Sequence, residues 1–340
     1  MVCDERLSGF SNIRKVSSRR LRTFNFDCDD NPSSMVFDSA LLTGQTVFRK
    51  SIVVRVACDG CPELAMNSCE CLRSMEKLSL SNGIRRIILE QSKRANVGHI
   101  GSALSVADII AALYGHVLRI SDPDNPDRDR FVLSKGHAAL ALYAALFLKG
   151  WMTSECLNTY CADGSLLGVH PEHALRGVDF STGSLGHGLS LGAGAALAAR
   201  LQRSSRRVFV LVSDAECNEG SLWEAVMFAA HHHLSNLITI VDLNGQQAFG
   251  YTEQVLNLSP LVDRWRAFGW DAHQVDGHDT SAITEAVAGL DVSSGPPHVL
   301  IAHTVFGNGV SYMKSKIKWH YWPMSDEEYR QALDEIGAMA

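Results

Sequence analysis

The stretch "VFVLVSDAECNEGSLWEAVMFAAHHHLSNLITIVDLNGQQ", residues 208–247, decides the fold. A branched apolar run ends abruptly in Asp214, Glu216, Asn218 and Glu219; a helical pattern follows, and a second apolar run ends in Asp242 and Asn244. Short runs that are apolar on both faces read as buried parallel strands. Two fit, "RVFVLVSD" (207–214) and "NLITIVDLN" (236–244), and "DAHQVDG" (271–277) and "HVLIAHT" (298–304) are the next strand-like runs. Helical patterns over 219–233, 260–268 and 279–290 separate them, and two more, 103–118 and 138–149, precede them. Strands alternating with helices predict an α/β fold, an open, mostly parallel sheet with helices on both faces. No internal repeat is evident.

Ligands of such a sheet bind at the carboxyl ends of its strands. A right-handed crossover puts the first two strands side by side, or nearly so, with Asp214 and Asn244 in one crevice. One carboxylate, one carboxamide oxygen and the backbone carbonyl of Gln246 make a hard, all-oxygen half-octahedron that suits magnesium completed by phosphate oxygens and water. The helix after Asp214 turns its amino end to the same place, adding donors for an anion. On the spacing alone the plainer alternative, that Asp and Asn only cap helices and form turns there, is the favoured one, and only the surrounding motifs reverse that.

The bulk properties exclude several classes. The chain has 340 residues, is 46% hydrophobic and 20% charged, and carries a net charge of −6. It offers no basic footprint for nucleic acid and no apolar run of ~20 residues for a membrane. The first 30 residues lack the apolar core of a signal peptide, so the expectation is a cytoplasmic protein. Residues 1–74 lack sustained periodicity and are expected to form an extension separate from a domain at 75–340, with Met75 as an alternative start. The cluster "SSRRLR" raises a transit peptide, against which Asp4 and Glu5 speak. Cys58, Cys61, Cys69 and Cys71 lie in "CDGCPELAMNSCEC", but the close arms and a C-x-C pair fit a zinc finger poorly, and free thiols fit better.

Several motifs together resemble transketolase over residues 76–325. "SDAECNEG" followed by "VDLN" looks like the thiamine diphosphate motif, with Asp214 and Asn244 30 positions apart. "KRANVGHIGSALSVADIIAALY", "DRFVLSKGHAALALYA" and "VHPEHALRGVDFSTGSLGHGLS" resemble three active-site loops in the family's order, and "VFGNGVSYMKSKIKWHYWPM" its closing histidine segment.

The resemblance implies thiamine diphosphate as cofactor with Mg2+ (or Ca2+ or Mn2+) held by Asp214, Asn244 and Gln246. It implies transfer of a two-carbon ketol unit from a ketose phosphate to an aldose. His137 and His320 match residues at the diphosphate, and His99 and His170 residues at the donor's hydroxyls; His320 counts among the catalytic set too. Histidines titrate near neutrality, which suits moving protons on sugars. Gly183, Ser184 and Leu185 match the loop along the thiazolium ring, and Glu219 a glutamate linking two active sites across a dimer. The run His231–His233 ends a helix and reads as structural.

Two departures stand out. Ser213-Asp214-Ala215 replaces Gly-Asp-Gly, so Ala215 keeps the N–H for the diphosphate only if its φ is negative; Val169 replaces a glycine before His170. The family's pyrimidine-binding and carboxy-terminal domains have no counterpart here. The expectation is therefore the amino-terminal subunit of a split transketolase, working with a carboxy-terminal partner subunit in a heterotetramer of two plus two. The alternatives are the alpha subunit of a 2-oxo acid dehydrogenase and a non-catalytic homologue whose site has decayed at Ala215.

Overall fold

The structure is a computed structural model that describes residues 35–43, 46–54 and 79–338. Contacts divide the chain into two units, Met1–Leu72 and Arg73–Ala340. In the first, β1 (Met35–Thr43) pairs antiparallel with β2 (Thr46–Val54), in register from Met35↔Val54 to Thr43↔Thr46. This ribbon was not expected, because the two nine-residue strands show no clean alternation of apolar and polar positions. The zinc, transit-peptide and Met75 readings fall outside the described residues.

The second unit is built on five parallel strands in the order β3-β4-β5-β9-β8: β3 (Arg130–Leu133), β4 (Val208–Ser213), β5 (Leu237–Leu243), β8 (Asp271–Asp276) and β9 (His298–His303). A two-residue pair, β6 (Gln246–Gln247) and β7 (Gly250–Tyr251), forms a separate hairpin. The alternation of side chains makes two cores. Phe209, Leu211, Ile238, Ile240 and Leu300 face one side; Val208, Val210, Val212, Val241 and Val299 face the other.

Helices cover both sides. Packed on the first core are α1 (Leu80–Ala95), α2 (Ile100–Ser105), α3 (Ala107–Ala112), α4 (Ala139–Leu148), α8 (Thr280–Ala288) and α9 (Asp326–Gly337). On the second are α5 (Gly188–Leu201), α6 (Gly220–His231) and α7 (Leu261–Ala267). The expected open sheet with helices on both faces is the observed one. Local chemistry sets the ends: Ser79 caps α1, Asn96 closes it in the left-handed region, and Ser325 with Glu328 forms a capping box on α9.

Two local differences matter. Strand β3 lay unread inside "DRFVLSKGH"; four residues at a sheet edge carry too little periodicity. The helix expected over 103–118 is broken at Val106, where Ser105 Oγ turns to Ser102 O (3.0 Å) and Asp242 Oδ2 (2.7 Å). Among the described residues, no helix is long and apolar enough to cross a membrane.

Candidate functional site

Strands β4 and β5 are direct neighbours, with Ser213 opposite Asp242, so their carboxyl ends share one edge. Asp214 is buried there. Its Oδ1 accepts the Ala215 N–H (2.9 Å), and its Oδ2 accepts the Gly245 N–H (3.0 Å) and the Thr252 hydroxyl (2.7 Å). Burial raises its pKa to about 6. All of those donors are neutral. Asp242, the carboxylate one strand over, is instead paired with buried Lys135 and held below its ordinary range despite the opposing effect of its burial.

Beside this edge lies a cavity of about 320 Å3, lined by His99, His137, His170 and His320 and by Gly183, Leu185, Ala215, Asn244 and Gln246. Every element contributes by chain geometry. His99 opens α2 from the left-handed region (φ 61°), and its N–H donates to His320 O (3.2 Å). His137 follows β3; its ring lies 5.5 Å from that of His99 and 5.9 Å from that of His320. His170 packs on Gly183, whose φ is 149° and on which a Cβ would lie 2.9 Å from His170 Cδ2, so no side chain fits there.

Burial lowers the pKa of His99, of His137 strongly, and of His320 to about 4; His170 also depresses His99, and Lys135 and neighbouring imidazoles depress His137 and His320. All three are neutral at pH 7, each ring with one N–H and one lone pair. Five buried polar atoms on residues of this wall have no protein partner: His99 Nδ1, Ser102 Oγ, Gln246 Oε1, Gln247 Nε2 and His320 Nε2. Buried polar groups are normally paired, so this wall suits a ligand rich in oxygen and nitrogen.

The remaining predicted residues stand apart from that lining. Asp214 borders an adjoining hollow of about 760 Å3 that shares Asn244 and Gln246 with the cavity. Ser184 lies in a shallower cleft with Thr182 and His187, and Glu219 is exposed at the N-cap of α6. His231–His233 lie outside the cavity lining, at the end of α6, where Arg200 binds the His232 and His233 carbonyls. Ala215 is absent from the residues of positive φ and begins a 3-10 turn, so the feared strain does not arise, although its N–H is engaged by Asp214.

Sequence reasoning missed Lys135, Ser102 and Gln247 on the wall and two buried carboxylates behind it. Glu216 accepts the Ser134 hydroxyl and the N–H groups of Gly186 and Ser213 (2.9 Å each), fixing the 183–188 loop against β4. Asp242 accepts from Lys135, Ser105, Thr304 and Asn244. For Asp242 a carboxylate inside an otherwise apolar strand was the available signal, since it is seldom buried unpaired; Glu216 lies in the 3-10 turn after β4 and gave no such signal.

The donor set fits a divalent cation: the Asp214 carboxylate has no cationic partner of its own, and Asn244 Oδ1 accepts only the Gln246 N–H (2.9 Å), which leaves a lone pair. A parallel sheet whose strand tips border this histidine-lined wall defines an α/β cofactor-binding domain. Residues 76–339 match the family description "Transketolase, thiamine diphosphate binding domain". The chain belongs to the transketolase family and carries that domain.

Among curated relatives, one subunit of the apulose-4-phosphate transketolase of Phocaeicola vulgatus is 41% identical over 255 residues, 74% of this chain and 90% of its own length. The 6-deoxy-6-sulfo-D-fructose transketolase subunit SqwG of a Clostridium species is 40% identical over 260 residues, 75% of this chain and 94% of its own. A solved transketolase from Campylobacter jejuni superposes with a TM-score of 0.72 at 30% identity, covering 78% of this chain and 43% of that one. That from Leishmania mexicana gives 0.71 at 29%, covering 76% and 41%. The chain thus spans about two fifths of these solved transketolases.

Proposed function

We propose that the chain is the thiamine diphosphate-binding subunit of a split, magnesium-dependent transketolase, moving a two-carbon ketol unit from an anionic ketose to an aldose with a separate carboxy-terminal partner subunit. The observation that carries this reading is the cluster of three neutral imidazoles, with His170 on the same wall, beside the Asp214–Asn244 edge. Two relatives named as transketolase subunits, matched over 90% and 94% of their length, support a two-chain enzyme. Their names, apulose-4-phosphate and 6-deoxy-6-sulfo-D-fructose transketolase, support an anionic ketose.

When bound, thiamine diphosphate supplies the carbon nucleophile that takes up and releases the ketol unit. Asp214, the Asn244 carboxamide oxygen and the Gln246 carbonyl would hold the cation that neutralises the diphosphate. His137 and His320, neutral, would give hydrogen bonds to diphosphate oxygens without competing for the cation. His99 and His170 would exchange protons with the donor's hydroxyls. Gly183 and Leu185 would border the thiazolium ring, with Ser184 beside them, and Glu219, on the outer surface, would reach across to a second copy. The partner supplies the other face, in an assembly of two plus two working in the cytoplasm.

The test is donor cleavage with ferricyanide as electron acceptor, the chain assayed alone and with its partner. Turnover of a ketose phosphate or hydroxypyruvate only with the partner is expected. Turnover of pyruvate would place the protein among 2-oxo acid dehydrogenases, and no turnover by a formed complex would make it non-catalytic.

A further inference from the structure

Asn244 ends in a carboxamide whose two sides meet opposite chemistries. Its Nδ2 donates to Asp242 Oδ2 at 2.9 Å, with Ser105 Oγ at 3.5 Å, and its Oδ1 accepts the Gln246 N–H at 2.9 Å. An ionised carboxylate only accepts and a backbone N–H only donates. Turning the amide over would set oxygen against oxygen and N–H against N–H, losing both bonds. The partners therefore fix the sense of the group.

Asp242 is itself immobile. It is fully buried, its Oδ1 takes the Thr304 hydroxyl, and its Oδ2 takes the Ser105 hydroxyl (2.7 Å) and the Lys135 ammonium, also buried. These donors come from the α2 end, the segment after β3 and the segment after β9, so the carboxylate is locked from three directions. Hydrogen bonds of this kind behind a cation ligand orient it, and breaking them costs cation affinity.

We propose that Asp242, held by Lys135, is the positioning residue that turns the Asn244 oxygen toward the cation and diphosphate; this rests on the reading of Asn244 as a cation ligand. A purely architectural pair would secure the strand tips without caring which end of Asn244 faces out.

The experiment measures Mn2+ binding to the full chain assembled with its partner subunit in the presence of thiamine diphosphate, by the electron paramagnetic resonance of free Mn2+, alongside thermal unfolding of the chain without ligands. Asp242→Asn offers Asn244 both a donor and an acceptor, so either orientation is allowed, and cation affinity should fall about 10-fold or more. Because that variant leaves the Lys135 ammonium buried and unpaired, Lys135→Met/Asp242→Asn is measured beside it; it should fold and show the same loss.

Asn244→Asp then discriminates. A carboxylate presents oxygen whichever way it turns, so in the Lys135→Met/Asp242→Asn background it should restore affinity. In the wild-type background it meets Asp242 and should weaken binding. Unchanged affinity in the folded double variant, or the same effect of Asn244→Asp in both backgrounds, overturns the proposal. Failure of the wild-type chain, assembled with its partner, to bind Mn2+ overturns the reading of the site itself.

Discussion

The imidazole of His320 stacks on the ring of Phe306, centroids 4.8 Å apart and planes 29° apart, and Phe306 in turn fills the space over Gly101. A Cβ on Gly101 would lie 2.1 Å from Phe306 Cε1. Gly101→Ala should therefore displace the ring and with it His320. Overpacking of this sort costs about 1–3 kcal/mol. Urea unfolding should show that loss, and titration with thiamine diphosphate should show weaker binding; a variant with unaltered binding would detach His320 from Phe306.

The depressed pKa of His320 makes a linkage prediction. Its folded value is about 4, below the ~6.5 of an unfolded histidine. Between these values the unfolded chain holds a proton that the folded chain refuses. The stability tied to neutral His320 is therefore complete above about pH 6.5, is lost as pH falls toward 4, and changes no further below that. The full effect is on the order of 3 kcal/mol. Asp214 acts with the opposite sign, since its folded pKa of about 6 lets the native chain take up a proton there first. Comparison of wild type with His320→Gln cancels that contribution. The difference in unfolding free energy between the two should shift in the variant's favour from pH 7 to pH 4.5.

Glu216 is predicted to be an anchor of the 183–188 loop. Glu216→Ala strips acceptors from the Gly186 and Ser213 N–H groups and from the Ser134 hydroxyl. At about 1–3 kcal/mol for each of these three buried donors left unpaired, a loss of roughly 3 kcal/mol or more is expected. Glu216→Gln keeps one acceptor oxygen and should lose about half as much. Urea midpoints measure both, and equal losses would contradict the role of the second oxygen.

Much of this was legible in the residues. Strands β4, β5 and β9 announce themselves because both of their faces are buried, so apolar residues run unbroken up to the polar tips. The histidines on the wall were legible through their motifs rather than through periodicity. Three things were not. Strand β3 is short and lies at an edge. The Lys135–Asp242 pair joins residues 107 positions apart, a contact only the folded sheet creates. The exposure of Ser184 and Glu219 depends on how their loops turn, and a motif match does not specify it.

The central claim, that the tips of β4 and β5 hold a cation and a diphosphate, is tested most directly by calorimetric titration of thiamine diphosphate into the full chain assembled with its partner subunit, with Mg2+, with chelator, and for Asp214→Ala. Saturable binding that needs Mg2+ and weakens about 100-fold or more in the variant is the predicted result; ligation by a buried carboxylate with no cationic partner of its own leaves little to replace it. Binding of equal strength with chelator, or by Asp214→Ala, would contradict the account.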